Sequence, residues 1–127
     1  MAHPIQPRIG SVFVPVTDLQ RSTRFYSALL GMPIDPEIRH EHLYGFQLPN
    51  GTDVVLDSKI ERPAGEGYPL FYLGTGDIDA AIEWLAANDV ALDGDLQRGE
   101  ISAVRIKDPN GNVLMICDCP PRPTAAA

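Results

Sequence analysis

The chain is 127 residues long, 44% hydrophobic and 21% charged, which is one domain's worth of sequence with enough apolar residues for a core. No apolar run approaches the roughly 20 residues of a membrane span, and the opening MAHPIQPRIG lacks the apolar stretch of a secretory signal, so a cytoplasmic protein is expected. A net charge of −7, from 10 Lys and Arg against 17 Asp and Glu and with no basic cluster, argues against a nucleic-acid partner and leans toward cationic ligands.

The first apolar run, IGSVFVPV at 9–16, is rich in β-branched and aromatic residues and predicts a strand. Thr17 and Gln20 have capping-box spacing, and a helix is expected from Asp18 to a stop at Gly31. Its core face is predicted from Phe25, Leu29 and Leu30, with Ser22 beside them. EIRHEH at 37–42 reads as a solvated connection. HLYGFQL at 42–48 and TDVVLD at 52–57 read as strands joined through Pro49-Asn50-Gly51, because Asn-Gly between apolar runs signals a hairpin. The stretch SKIERPAGEGY at 58–68, rich in Pro, Gly and charge, reads as a linker.

A second series follows. PLFYLGT at 69–75 predicts a strand, and a helix is expected to begin at Asp77 with Ile78, Ala81, Ile82 and Leu85 on one face. Trp84 and Phe25 are expected in the core. ISAVRIK at 101–107 turns through DPNG into NVLMIC, ending at Cys117. Cys117 and Cys119 are two apart, a spacing at which a disulfide closes almost no loop, so free thiols are expected. The tail PPRPTAAA is too rich in Pro and small residues to pack.

The two series are copies. The Pro-Asn-Gly sites stand at 49–51 and 109–111, and the helix starts at 18 and 77; Phe25 falls on Trp84 and Ala28 on Ala87. An offset held within one residue over that length is an internal repeat. The organisation expected is a single domain over 1–127, with module one at 9–58, a linker at 59–68, module two at 69–118 and a tail at 119–127.

VPVTDLQRSTRFYSALLGM and VRIKDPNGNVLMI carry the pattern V-x-D-L-x-x-(S/A)-x-x-F-Y-x-x-x-L-G, followed by a second copy ending in D-P-(D/N)-G-N. This resembles the vicinal oxygen chelate superfamily, which includes glyoxalase I, extradiol dioxygenases, fosfomycin-resistance enzymes and bleomycin-binding resistance proteins. The likeness covers about residues 9–118. It implies an α+β fold of two tandem βαβββ modules, whose mixed sheet curls around a cavity with the helices on the convex side. It also implies a homodimer, since bowl-shaped modules that leave apolar concave surface exposed commonly pair.

Alternation along the strands sorts their side chains. Val12, Val14, Val16, Val54, Leu56, Phe71, Leu73, Leu114 and Ile116 form one wholly apolar face, expected under the helices. Ser11, Phe13, Pro15, Asp53, Val55, Asp57, Leu70, Tyr72, Val113, Met115 and Cys117 form the other, which suits a lined cavity, the reading the resemblance supports, with a secondary core where modules or subunits meet as the alternative.

Metal-using relatives hold a divalent ion from the first and last strands of both modules. The matching positions here are Ser11, Val55, Leu70 and Met115. Hard divalent ions take carboxylate or imidazole, so no metal and no other cofactor is expected there. A displaced site is conceivable at His40, His42 and Asp57. The expected function is therefore metal-free binding of an aromatic or cationic small molecule, as in bleomycin-resistance proteins, with an antibiotic as one kind of ligand. The ligand would be lined by Ser11, Phe13, Tyr44, Phe46, Val55, Asp57, Leu70, Tyr72 and Met115. The alternative is a lyase, isomerase or dioxygenase-like enzyme, metal-free or using the displaced site. A third reading, an interaction module with a vestigial cavity, stays open.

Overall fold

The computed structural model describes residues 3–60 and 68–118, without the side chains of residues 38–40. The chain divides into two compact units, Met1–Arg62 and Pro63–Ala127. The fold is mixed α+β, with one sheet and one α-helix in each unit among the described residues.

In the first unit β1 (Ser11–Pro15) leads into α1 (Leu19–Leu30). A 3-10 turn at Pro36–Ile38 precedes β2 (Arg39–His40), β3 (Leu43–Gln47) and β4 (Asp53–Asp57). The sheet order is β1-β4-β3-β2. β1 runs parallel to β4, which α1 makes possible by carrying the chain across, and the remaining pairs are antiparallel. The β3–β4 hairpin turns where Gly51 N–H donates to the Leu48 carbonyl at 3.1 Å. Gly51 has a φ of 89°, and Pro49 and Gly51 fall at the positions a type I turn favours for these residues.

The helix start differs in detail from the capping-box expectation. Asp18, not Thr17, is the N-cap, and its side chain accepts from Arg21 N–H at 3.1 Å. Gly31 ends the helix with a φ of 65°, as expected of a left-handed C-cap. The buried face agrees with the expectation at Ser22 and differs elsewhere: Leu19, Ser22, Thr23 and Tyr26 are buried, while Phe25, Leu29 and Leu30 are half-buried. Small hydroxyl residues let the helix approach the sheet closely, and the Thr23 hydroxyl is satisfied within the helix by the Leu19 carbonyl at 2.6 Å. Under this face lie Val14, Tyr44, Phe46, Val54 and Leu56, each no more than 2% exposed.

The second unit repeats the order. β5 (Tyr72–Gly74) precedes α2 (Ile78–Ala87), and β6 (Ala103–Lys107) pairs with β7 (Val113–Cys117). The sheet order is β5-β7-β6, with β5 parallel to β7 and β6 antiparallel to it. Bridges Leu92–Ile106 and Gln97–Ala103 add a broken strand beside β6, in the place β2 holds beside β3. Asp77 caps α2 through Ala80 N–H at 3.0 Å. Ile78 and Leu85 are buried, but Trp84 is 38% exposed rather than core. The core of this unit is Leu85, Val104, Ile106, Leu114 and Ile116. No helix among the described residues is long and apolar enough to cross a membrane.

Cys117 is buried and disulfide-bonded, against the expectation of free thiols. Cys119, the other cysteine of the chain, lies outside the described residues.

Candidate functional site

Each sheet has one face under its helix and one that the helix leaves open. On the first sheet the register sets Ser11 beside Asp53, Phe13 beside Val55 and Pro15 beside Asp57, with Gly45 next to Val55. Four of the expected site residues, Ser11, Phe13, Val55 and Asp57, therefore share the open face. Phe13 is 57% exposed, and the half-buried Val55 is flanked along its strand by two carboxylates, Asp53 and Asp57.

Tyr44 and Phe46 are not on that face. Tyr44 pairs with Leu56 and Phe46 with Val54, so both point under α1, at 1% and 2% exposure. Their rings meet at a centroid distance of 4.8 Å. Assigning them to the ligand site is corrected by strand parity: they stand an even number of residues apart from each other, but out of phase with the strand's open side.

On the second sheet Tyr72 pairs with Met115, and Met115 in turn with Arg105. Tyr72 is 53% exposed and Met115 half-buried. Leu70 joins the edge of this sheet through its N–H, which donates to the Val113 carbonyl at 2.8 Å. Sequence reasoning missed Arg105, although it sits in phase with Met115 across the hairpin. Asp93 anchors this basic edge, with Oδ2 3.9 Å from Arg105 Nε and Oδ1 3.7 Å from Lys107 Nζ. The two open faces thus differ in charge: carboxylates on the first, cationic side chains on the second.

The residues at the four equivalent metal positions do not fit a divalent ion. Val55 and Leu70 have no donor atom, Ser11 offers a neutral hydroxyl and Met115 a thioether. Among the described residues no three His, Cys, Asp or Glu side chains are grouped to hold one. Of the displaced set, the His40 side chain lies outside the described residues. His42 Nε2 is 4.0 Å from Asp57 Oδ1, and His42 Nδ1 is buried with no hydrogen-bond partner among them. Asp57 Oδ1 also accepts from Lys59 N–H at 2.8 Å. This is an acid–base pair with one open nitrogen, two donors short of a catalytic metal's usual complement with its water.

The turn before β7 is tightly built. Asp108, 5% exposed, accepts from Asn110 N–H at 2.8 Å, Asn112 N–H at 2.9 Å and the Asn112 side-chain amide at 2.8 Å. These bonds hold the start of the strand that carries Met115.

Residues 8–116 match the Glyoxalase/Bleomycin resistance protein/Dioxygenase superfamily. The chain belongs to that superfamily. It is 28% identical over 118 residues to a virulence protein, STM3117, of Salmonella typhimurium strain LT2, covering 86% of this chain and 82% of that protein. Its fold is similar to that of TnmS3, an antibiotic binding protein from Streptomyces sp. CB03234, with a TM-score of 0.71 at 23% identity over 90% of this chain and 97% of the other. It is also similar to a glyoxalase/dioxygenase from Nostoc punctiforme, with a TM-score of 0.70 at 18% identity over 96% and 99%. At those identities the likeness is one of fold, and the superfamily fold carries both binding proteins and enzymes.

Proposed function

We propose that this chain is a metal-independent small-molecule-binding protein of the bleomycin-resistance type, taking an aromatic or cationic ligand, an antibiotic among the candidates, in the concave cavity that the family resemblance implies. The observation that carries the reading is the chemistry of the open faces. Where a metal-using relative places its ligands this chain has Ser11, Val55, Leu70 and Met115, while the exposed rings of Phe13 and Tyr72 stand beside Val55 and Met115. Aromatic rings left open to solvent suit stacking on a flat ligand. Asp53 and Asp57 beside Phe13 suit a cation. The antibiotic-binding TnmS3 supports the reading at the level of fold.

A homodimer and a cytoplasmic location belong to the same proposal.

Calorimetric titration against bleomycin and a panel of aromatic cationic antibiotics tests the function. The expected result is stoichiometric binding that survives chelator and weakens about tenfold in Phe13→Ala. If no compound binds, or if purified protein carries stoichiometric metal, the proposal fails. The 4.0 Å approach of His42 to Asp57 favours a second reading, a lyase, isomerase or dioxygenase-like enzyme using this pair for proton transfer. It requires turnover that disappears in His42→Ala, with or without a metal shared with His40.

A further inference from the structure

A pocket of about 290 Å³ opens in the first unit, on the side opposite the open face. It is lined by Gln20, Thr23 and Arg24 of α1, by Ile34 and Pro36 after the helix, and by Tyr44 of β3. Its apolar wall is Ile34, 43% exposed, with Pro36 and the Tyr44 ring.

Two of its polar groups, Arg24 and Tyr44, are donors, and the Gln20 amide can donate or accept. Tyr44 is 1% exposed, and its hydroxyl oxygen accepts from Asp35 N–H at 2.7 Å, between the two lining residues Ile34 and Pro36. That bond uses the oxygen and leaves the hydroxyl proton to be donated. Arg24 makes no ion pair or hydrogen bond among the described residues. The Thr23 hydroxyl is spent on the Leu19 carbonyl. Among the described residues no carboxylate lines the pocket; the Asp35 carboxylate accepts from Glu37 N–H at 3.0 Å. In a chain of net charge −7, an unpaired guanidinium beside a buried hydroxyl is a local reversal of sign.

We propose that this pocket binds a small organic monocarboxylate. Its carboxylate is held by the Arg24 guanidinium and the Tyr44 hydroxyl, and its apolar body rests on Ile34, Pro36 and the Tyr44 ring. Charge-assisted pairing with Arg supplies the selectivity for an anion. The volume lies at the lower limit of small-molecule sites, so the ligand has on the order of ten non-hydrogen atoms. The site is separate from the face carrying Phe13, and the proposal does not depend on the antibiotic-binding reading.

Titration of isotope-labelled full-length protein with sodium benzoate, followed by amide NMR, tests it. Saturable shifts are expected at residues 20–24 and 34–36. Uncharged benzamide, of the same shape, is expected to bind about tenfold more weakly, and Arg24→Gln to weaken benzoate by about tenfold. Arg24 is exposed, so that variant keeps the fold. Tyr44→Phe, checked for folding by circular dichroism, is expected to weaken benzoate about fivefold, and Phe13→Ala to leave it unchanged. No saturation by about 10 mM, far beyond millimolar affinity, overturns the proposal. So does equal binding of benzamide, indifference to Arg24→Gln, or shifts confined to Phe13, Val55 and Asp57.

Discussion

Asp108 and Leu48 occupy the same place in the two hairpins, and the difference between them is large. The first turn closes through Gly51 N–H and an exposed Asn50, whose side chain accepts from Thr52 N–H at 3.2 Å. The second is clamped by a buried carboxylate with three donors pointed at it. Removing that carboxylate strands those donors away from water, whereas removing the exposed amide does not. Asp108→Ala is therefore expected to lower unfolding free energy by at least about 2 kcal/mol, and Asn50→Ala by less than about 1 kcal/mol. Urea denaturation of the two variants checks the ordering, and equal losses contradict it. The sequence made both turns readable through Pro-Asn-Gly. It did not reveal the burial of Asp108, because an isolated aspartate in a turn reads as a solvated one.

At the scale of elements, alternation was the dependable signal and helical periodicity the weaker one. Strand parity placed nine residues on the covered side: Val14, Val16, Val54, Leu56, Leu114 and Ile116 are buried and Val12, Phe71 and Leu73 half-buried, while Val113 and Cys117, assigned to the open side, are buried as well. The same parity, applied to β3, would have excluded Tyr44 and Phe46 from the open face. For α1 the expected stripe was Phe25, Leu29 and Leu30 with Ser22, and of these only Ser22 belongs to the face that docks, which is Leu19, Ser22, Thr23 and Tyr26. How a helix sits on a sheet depends on which residues allow close approach, and hydrophobicity ranks serine and threonine as outward. Ser22 tests this account. It is fully buried, and its hydroxyl has no hydrogen-bond partner among the described residues. Ser22→Ala is expected to leave stability unchanged or raise it by up to about 1 kcal/mol, since an unsatisfied buried hydroxyl is removed. Ser22→Leu, more apolar but larger, is expected to lower it by about 1–3 kcal/mol through overpacking. Thermal and urea melts of both variants decide between volume and polarity at this contact. A stabilised Ser22→Leu contradicts the seating described here.

Over the whole molecule, the two units each carry a sheet and a helix but present different surfaces. Each unit covers one side of its sheet with its own helix. On the other side Phe13 and Tyr72 remain more than half exposed, and they are accompanied by Asp53 and Asp57 in the first unit and by Arg105 and Lys107 in the second. Large aromatic rings are among the most favourable groups to bury at a contact. In the proposed homodimer, opposite charges on the two faces would supply complementarity between copies. The proposed homodimer follows from this: light scattering is expected to give twice the chain mass of 13.8 kDa, and Phe13→Glu to shift the population toward single chains. Phe13→Glu sets a carboxylate beside Asp53 and Asp57, so its effect is expected to be larger than that of Phe13→Ala, which removes only apolar area. A mass of 13.8 kDa for the unaltered protein, independent of concentration, removes the dimer and leaves a bound small molecule as the remaining means of covering the exposed rings.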